Sequence, residues 1–252
     1  MTARTKIVAS IGPSSSDKQS LNALIEKGMN VARINFSHGD HDTHGLIYDK
    51  IRAIEKKRNT HLAILADLQG PKIRLCHIDN EPLSLERGTQ IKISCDENHS
   101  GTNLCVDYEG LAKDVKPGEH ILIDDGTIKL RCTRVIDTHC IEAEVIHGGL
   151  LYSRKGINLP ESSIHVPGLT EKDKEDARFA IRKGFDWIAL SFVRCAEDIY
   201  QLREYIQSLN GDVGIIAKIE KPEAVDDIDR IIDAADGIMV ARGDLGVEVE
   251  FD

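Results

Sequence analysis

The segment Gly214-Ile-Ile-Ala-Lys218-Ile-Glu220-Lys-Pro222 decides the fold, because it joins an apolar run to a pair of charged side chains. The run at residues 215–217 is too short for a helix and is typical of a strand buried in a parallel sheet. Side chains two positions apart on a strand share a face, so we expect Lys218 and Glu220 to lie together where the strand ends. Pro222 then stops strand pairing and suits the first turn of a helix.

A second apolar run, Gly237-Ile-Met-Val-Ala241, repeats this pattern and ends in Arg242-Gly-Asp-Leu-Gly246. Residues 223–235, between the two runs, carry apolar side chains at helical spacing. The sequence therefore predicts a strand, a helix and a strand. Because such crossovers are right-handed, the two strands should be parallel and adjacent.

Glu220 and Asp244 would then lie at the same end of neighbouring strands. Two carboxylates in that position suit Mg²⁺, which takes a few protein oxygens and shares the rest with a phosphorylated substrate. Lys218 beside them could face the negative charge of that substrate. The alternative interpretation is a structural salt bridge at the edge of a sheet.

Composition excludes several classes of protein. The 252 residues carry a formal net charge of −10, which argues against a non-specific nucleic-acid binder. The sequence has no apolar run of transmembrane length and no signal peptide, so we expect no membrane partner. None of the six cysteines forms a C-x-x-C pair, and we interpret them as reduced thiols of a cytoplasmic protein.

The rest of the chain alternates strands with helices, apart from one long interruption. Residues 1–69 and 161–252 are predicted to form a β/α domain, and residues 70–160 read as short strands with turns, an inserted all-β domain. Asp125-Gly126 between alternating runs indicates a hairpin. The further predicted β/α strands are residues 6–11, 31–36, 62–68 and 186–192, and the predicted helices are residues 18–27, 43–58, 170–184 and 196–209.

Polar residues fall at the C-terminal ends of the six β/α strands, the catalytic face of a TIM barrel. A doubly wound sheet would carry a Gly-rich phosphate loop after its first strand, and Ile11-Gly-Pro-Ser14 is not one. The predicted fold class is therefore α/β, a TIM barrel with an inserted β domain. A barrel needs eight strands, so the barrel is expected to be incomplete. The polar residues are Asn35, Ser37, Asp67, Ser191, Lys218, Glu220 and Asp244.

Six motifs together resemble the pyruvate kinase family, and they span essentially the whole chain in the family's order. They are Thr5-Lys-Ile-Val-Ala-Ser-Ile-Gly-Pro13, Ala32-Arg-Ile-Asn-Phe-Ser-His-Gly39, Asp67-Leu-Gln-Gly-Pro-Lys-Ile-Arg74, Lys155-Gly-Ile-Asn-Leu-Pro160, Ala217-Lys-Ile-Glu220 and Met239-Val-Ala-Arg-Gly-Asp-Leu-Gly-Val247. The resemblance implies phosphoryl transfer from phosphoenolpyruvate to ADP, giving pyruvate and ATP in the final step of glycolysis. It also implies a homotetramer and an inserted domain that closes as a lid.

The resemblance also implies roles for individual residues. Glu220 and Asp244 match the ligands of Mg²⁺ (or Mn²⁺), and Lys218 and Arg33 match the cations that neutralise the phosphoryl group in flight. The backbone around Gly243 and Asp244 matches a cradle for the substrate carboxylate. Nucleotide contacts are expected from Asn35, Arg74 and Lys155, and a K⁺ site from Asn35, Ser37, Asp67 and the carbonyl of Leu68.

Two departures from the family pattern lead to further expectations. The chain ends at Asp252, where the family continues through two more barrel strands and a C-terminal domain, so a fragment without activity of its own is expected. Residues 68–72 read Leu-Gln-Gly-Pro-Lys, where the best-known members have Thr-Lys-Gly-Pro-Glu. The ammonium of Lys72 is expected to take the place of K⁺ and make that ion dispensable.

Two other functions remain open on the sequence. The chain could belong to another Mg²⁺-dependent barrel enzyme acting on phosphoenolpyruvate or an enolate, such as a lyase or an aldolase. It could also be a non-catalytic folding or binding module. Consumption of ADP would distinguish the kinase from both.

Overall fold

The computed structural model describes residues 5–97 and 103–249. The chain divides into two compact units. Among the described residues, the first unit comprises residues 5–71 and 168–240, and the second comprises residues 72–97, 103–167 and 241–249. The first unit thus carries the β/α elements. The second carries the inserted β strands and also the residues that follow the last β/α strand.

The first unit is built on a six-stranded parallel sheet with the strand order β1-β2-β3-β13-β14-β15. Every neighbouring pair runs parallel, so the C-terminal ends of all six strands lie at one edge of the sheet. The predicted adjacency of the last two strands is confirmed, with Ile219 opposite Val240. The strands are β1 Ile7–Ile11, β2 Met29–Asn35, β3 Ala63–Asp67, β13 Trp187–Leu190, β14 Gly214–Ile219 and β15 Gly237–Val240.

The helices of the first unit begin at local capping signals in the sequence. Asp17 accepts hydrogen bonds from the first turn of α1, and Thr170 forms a complete capping box with Asp173 at the start of α4, although Asp is shorter than the usual partner. Gly184, at a φ of 90°, ends α4. The helices are α1 Lys18–Glu26, α2 His41–Arg58, α4 Glu171–Lys183, α5 Ala196–Ser208, α6 Pro222–Asp226 and α7 Ile228–Ala234.

One apolar core lies between this sheet and its helices. Ile64, Ile188 and Ile215 from three neighbouring strands are fully buried, as are Ile51 and Ile199 from the helices. Strands buried in this way appear in a sequence as continuous apolar runs, which explains why residues 215–217 correctly predict a strand. The core fixes the strands, and the strands fix the position of the polar residues at their C-terminal ends.

The second unit has a sheet of seven strands in the order β4-β12-β8-β9-β10-β6-β7. A bridge between Leu75 and Val106 joins the chain beyond β4 to the chain beyond β7, which links the two ends of this sheet. The strands are β4 Ile73–Arg74, β6 Gln90–Ser94, β7 Leu104–Cys105, β8 His120–Ile123, β9 Ile128–Val135, β10 Cys140–His147 and β12 Gly156–Asn158, with β5 Leu83–Leu85 and β11 Gly149–Leu151 paired separately.

One local prediction for this unit, the hairpin at Asp125-Gly126, is confirmed. The Asp125-Gly126 hairpin joins β8 to β9, with both residues at positive φ. The unit also contains two short helices, α3 Leu111–Asp114 and α8 Arg242–Glu248. The prediction of short strands with turns for residues 70–160 did not include α3, a helix of four residues. The segment 242–246, predicted to end a strand, instead forms most of α8.

The single helix predicted at residues 223–235 is wrong, because the chain breaks at Asp227 into α6 and α7. The side chain of Asp227 accepts a hydrogen bond of 2.9 Å from the backbone N–H of Ala196, at the start of α5. It also lies 3.3 Å from the guanidinium of Arg230. Apolar spacing alone does not reveal this break.

Across residues 5–97 and 103–249, no helix combines the length and the apolar character needed to cross a membrane.

Candidate active site

Lys218 lies at the centre of a buried polar cluster at the C-terminal end of β14. Only 7% of its surface is exposed. Its ammonium lies 2.9 Å from Oε1 of Glu220 and 3.2 Å from Oδ1 of Asp67, and it donates a hydrogen bond of 2.7 Å to Oγ of Ser191. The predicted juxtaposition of Lys218 and Glu220 is therefore confirmed.

Arg33 supplies a second cation to this cluster from β2. Its Nε donates a hydrogen bond of 2.6 Å to Oδ2 of Asp67, and a terminal nitrogen of the guanidinium also contacts that oxygen. Another guanidinium nitrogen donates a bond of 2.5 Å to Oγ of Ser10 on β1. The Arg33 side chain is about one-quarter exposed, so this cation reaches both the buried cluster and solvent.

The cluster balances two cations, Lys218 and Arg33, against two carboxylates, Asp67 and Glu220. Burial by itself would lower the pKa of Lys218, but the nearby carboxylates of Glu220 and Asp67 outweigh that effect and raise it above 10.5. Lys218 is therefore a fixed positive charge at neutral pH. A permanent cation in a poorly hydrated site can act strongly on negative charge that develops beside it.

Glu220 is held in place by the segment that follows the neighbouring strand β13, as well as by Lys218. Its Oε2 accepts a hydrogen bond of 2.7 Å from the backbone N–H of Phe192, directly after β13. Phe192 adopts a positive φ of 55°, an uncommon conformation for an aromatic residue. Carboxylate oxygens such as those of Glu220 are the ligand type that a hard divalent ion prefers.

The residues matched to the family K⁺ site lie partly together. Asn35 is the direct partner of Asp67 in the pairing of β2 with β3, and Oδ1 of Asn35 accepts a hydrogen bond of 3.0 Å from the backbone N–H of Ser37. The carbonyl of Leu68 accepts a bond of 2.6 Å from Oγ of Ser191. These four residues therefore surround the C-terminal ends of β2 and β3.

Ser191 is a functional candidate whose role the sequence does not indicate beyond its place at a polar strand end. Its hydroxyl contacts Lys218, Asp67 and Leu68 at once. Gly70 packs against it, because a Cβ at that position would come within 2.7 Å of the Ser191 carbonyl. Ser191 positions the ammonium of Lys218, and its place at a strand end was the one signal for this role.

Two of the expected nucleotide contacts belong to the second unit. The guanidinium of Arg74 donates a hydrogen bond of 3.1 Å to the carbonyl of Arg154. Lys155 lies 2.9 Å from Oδ1 of Asp124, whose hydrogen bond raises the pKa of the lysine. Both Arg74 and Lys155 are partly exposed, so their charges face solvent as a phosphate contact requires.

Lys72 and Asp244 also belong to the second unit. The ammonium of Lys72 lies 3.9 Å from Oδ1 of Asp244, on the first turn of α8. A Cβ on Gly243 would meet nothing within 4 Å, so the start of this helix is open around its backbone. Asp244 is about one-third exposed and offers carboxylate oxygens, the ligand type that Mg²⁺ prefers.

The six parallel strands, their charged C-terminal ends and the separate β unit place the chain among α/β-barrel proteins. A family model described as "Pyruvate kinase, barrel domain" matches residues 2–252. The chain belongs to the pyruvate kinase family. Its barrel sheet has six strands in the described residues, so the prediction of an incomplete α/β barrel is confirmed.

Curated relatives agree with this assignment. The chain is 46% identical over 254 residues to a pyruvate kinase of Geobacillus stearothermophilus, a match that covers 99% of this chain and 43% of the relative. It is 45% identical over 250 residues to one from Bacillus licheniformis, covering 98% and 43%. A pyruvate kinase of Sporosarcina psychrophila is 45% identical over 249 residues, covering 98% and 42%. The chain thus spans less than half the length of these relatives.

Proposed function

We propose that this chain forms the phosphoryl-transfer part of an enzyme that converts phosphoenolpyruvate and ADP into pyruvate and ATP. The observation that carries the proposal is the buried ammonium of Lys218, fixed between Asp67 and Glu220 at the C-terminal edge of a parallel sheet. Phosphoryl transfer requires positioning and positive charge more than covalent chemistry from the protein. A preorganised cation of this kind supplies both.

In this proposal Lys218 and Arg33 bind the phosphoryl group of the substrate. Asp67 and Ser191 hold the two cations at fixed positions, so little reorganisation is needed when charge moves between substrate oxygens. Lys218 stays protonated throughout and acts as a charge, not as a proton donor, because its pKa is raised. The open backbone at Gly243 and Asp244 binds the substrate carboxylate.

Glu220 and Asp244 would hold Mg²⁺ or Mn²⁺ through their carboxylate oxygens, and these donors fit a hard divalent ion. When bound, such an ion neutralises phosphate charge and orients the reacting groups. Glu220 would keep its hydrogen bond from Phe192, which fixes the direction of the carboxylate. This hydrogen bond thus orients the carboxylate for a bound ion.

The nucleotide would be bound by Asn35, Arg74 and Lys155, whose donors suit its phosphates. We infer that K⁺ is dispensable, because Lys72 is a basic residue in the segment where the best-known family members have an acid. That inference rests on the sequence of residues 68–72. We also propose a homotetrameric assembly and a cytoplasmic location, and family membership is their only support.

We further propose that the 252-residue polypeptide has little activity alone. Within the described residues, β1 and β15 each pair on one side only. Both strands expose apolar side chains, with Val8 49% exposed and Val240 60% exposed. Unpaired apolar edges of this kind favour self-association over a well-formed pocket.

ATP formation from phosphoenolpyruvate and ADP tests the proposal. The assay compares the chain alone with a hybrid in which residues 2–252 replace the matching part of the Geobacillus stearothermophilus relative. We expect turnover in the hybrid and none in the chain alone. A folded hybrid without ADP-dependent turnover would favour the non-catalytic binding module, and full turnover by the chain alone would refute the proposed inactivity.

A further inference from the structure

Two cysteines and a glutamate of the second unit converge on one another. The Sγ atoms of Cys76 and Cys105 lie 2.9 Å apart. A carboxylate oxygen of Glu97 joins them, and the three ligand atoms all lie within 4.8 Å of one another. We propose that Cys76, Cys105 and Glu97 form a binding site for a thiophilic divalent metal ion of the Zn²⁺ type.

The backbone holds the two thiols opposite each other. The N–H of Cys76 donates a hydrogen bond of 2.9 Å to the carbonyl of Cys105, next to the bridge between Leu75 and Val106. Directly opposed residues on antiparallel segments have their side chains on the same face. The pair is thus preorganised, and Glu97 reaches it from the chain that follows β6.

The donor set selects the class of metal. Thiolate ligands favour Zn²⁺ and disfavour Mg²⁺ or Ca²⁺, which require oxygen. Bonds of about 2.3 Å in a tetrahedral site place two sulfurs roughly 3.8 Å apart. The two thiols would therefore separate by about 1 Å on binding. Three protein ligands leave the fourth position to water, as in many zinc sites.

The carboxylate of Glu97 beside the two thiols offers a third, oxygen ligand for a cation. Binding of one divalent ion would form two metal–sulfur bonds and release the two thiol protons to solvent.

An acidic cavity adjoins the site. It has a volume of about 630 Å³ and is lined by Cys95, Asp96, Glu97, Glu109 and His139. Glu97 lines this cavity and is also one of the three proposed ligands. A cation could therefore approach through an acidic opening and not through the apolar core.

The location gives the ion a structural role. Cys76 follows β4 and Cys105 ends β7, and these are the two terminal strands of the seven-stranded sheet. The metal would link them at the junction where the Leu75–Val106 bridge joins the ends of the sheet. A ligand that binds only the folded state raises stability, so the second unit should become more resistant to unfolding when metal binds.

The experiment titrates the reduced 252-residue chain, freed of metal by a chelator, with Co²⁺ under anaerobic conditions. We expect one equivalent to bind with a thiolate-to-cobalt charge-transfer band, and Zn²⁺ to displace it. Zn²⁺ should also slow hydrogen exchange in peptides of the second unit. Cys76→Ser and Cys105→Ser should each abolish the band, and Cys132→Ser, a buried thiol on β9 outside the cluster, should leave it unchanged.

Glu97→Gln provides a variant that leaves the fold intact, because Glu97 is exposed. It should weaken Co²⁺ binding by more than about tenfold. Changes to residues that merely orient a metal ligand already cost about tenfold or more, and Glu97 is proposed as a ligand itself. Absence of the charge-transfer band in the unmodified chain, or its persistence in both cysteine variants, would overturn the proposal. So would a reduced chain that binds no metal but loses two hydrogens in air, which would assign the pair to a disulfide.

Discussion

Replacing Lys218 with methionine removes one charge from the buried cluster and leaves a side chain of similar length. At an effective dielectric constant of 20, the attractions to Glu220 at 2.9 Å and Asp67 at 3.2 Å are about 6 and about 5 kcal/mol. Desolvation of the buried charges offsets much of this gain. Removing one partner of a buried ion pair typically costs about 3–5 kcal/mol, and we expect Lys218→Met to fall in that range.

Urea unfolding of the 252-residue chain measures this cost, and the fluorescence of Trp187 reports on the first unit because it is the single tryptophan and lies on β13. Lys174→Met is the matched control, since Lys174 pairs with the exposed Glu171 within one helix and should cost under about 1 kcal/mol.

The pH dependence gives a second check on the same variant. The folded-state pKa of Lys218 is raised, so its contribution to stability is fully present below 10.5 and is lost as the pH rises through the folded-state value. The difference between the unmodified chain and Lys218→Met should therefore be constant near neutral pH and shrink above pH 10.5. A variant as stable as the unmodified chain at pH 7 would refute the buried ion cluster.

Three further predictions concern other residues. In the hybrid enzyme, Glu220→Gln should weaken Mn²⁺ binding, measured by electron paramagnetic resonance, and depress turnover, because a neutral oxygen replaces a charged ligand; unchanged Mn²⁺ affinity would contradict the assignment. The hybrid should run in K⁺-free buffer, and Lys72→Glu should make its turnover depend on K⁺; a hybrid silent until K⁺ is added would refute the role of Lys72. Asp114 accepts hydrogen bonds from Tyr108 and His165, and these bonds outweigh burial and lower the pKa of Asp114 below 3.8. The contribution of Asp114 to folding stability is therefore present above pH 3.8 and is lost as the pH falls through the folded-state pKa. Asp114→Asn should thus destabilise the second unit by about 1.5–3 kcal/mol at pH 7 and by less in acid, as measured by hydrogen exchange; an equal loss at both pH values would exclude a charged Asp114.

The sheet of the first unit was predictable because its strands are continuous apolar runs with polar residues at their ends. The positions of Lys218, Glu220 and Asp67 followed from the period of two along a strand and from the parallel pairing of neighbours. Errors of one or two residues in the predicted strand boundaries did not affect this result. The family motifs added the chemical roles, which no spacing rule supplies.

Features set by tertiary contacts were not predictable. Asp227, at the break between α6 and α7, accepts a hydrogen bond from Ala196, 31 positions earlier in the chain. The contact of Ser191 with Lys218 crosses from β13 to β14, and the pairing of Cys76 with Cys105 joins opposite ends of a sheet. The spacing of these residues along the sequence carries no period of a helix or a strand.

The central claim is that the ammonium of Lys218 stabilises the phosphoryl group while it is transferred. Its most direct test is the rate of ATP formation by the hybrid with Lys218→Met, determined over a range of phosphoenolpyruvate concentrations. Because the charge is required most in the transition state, kcat should fall by orders of magnitude while KM changes little. A rise in KM with kcat unchanged would contradict the claim, since it would show that Lys218 binds the substrate without assisting the transfer.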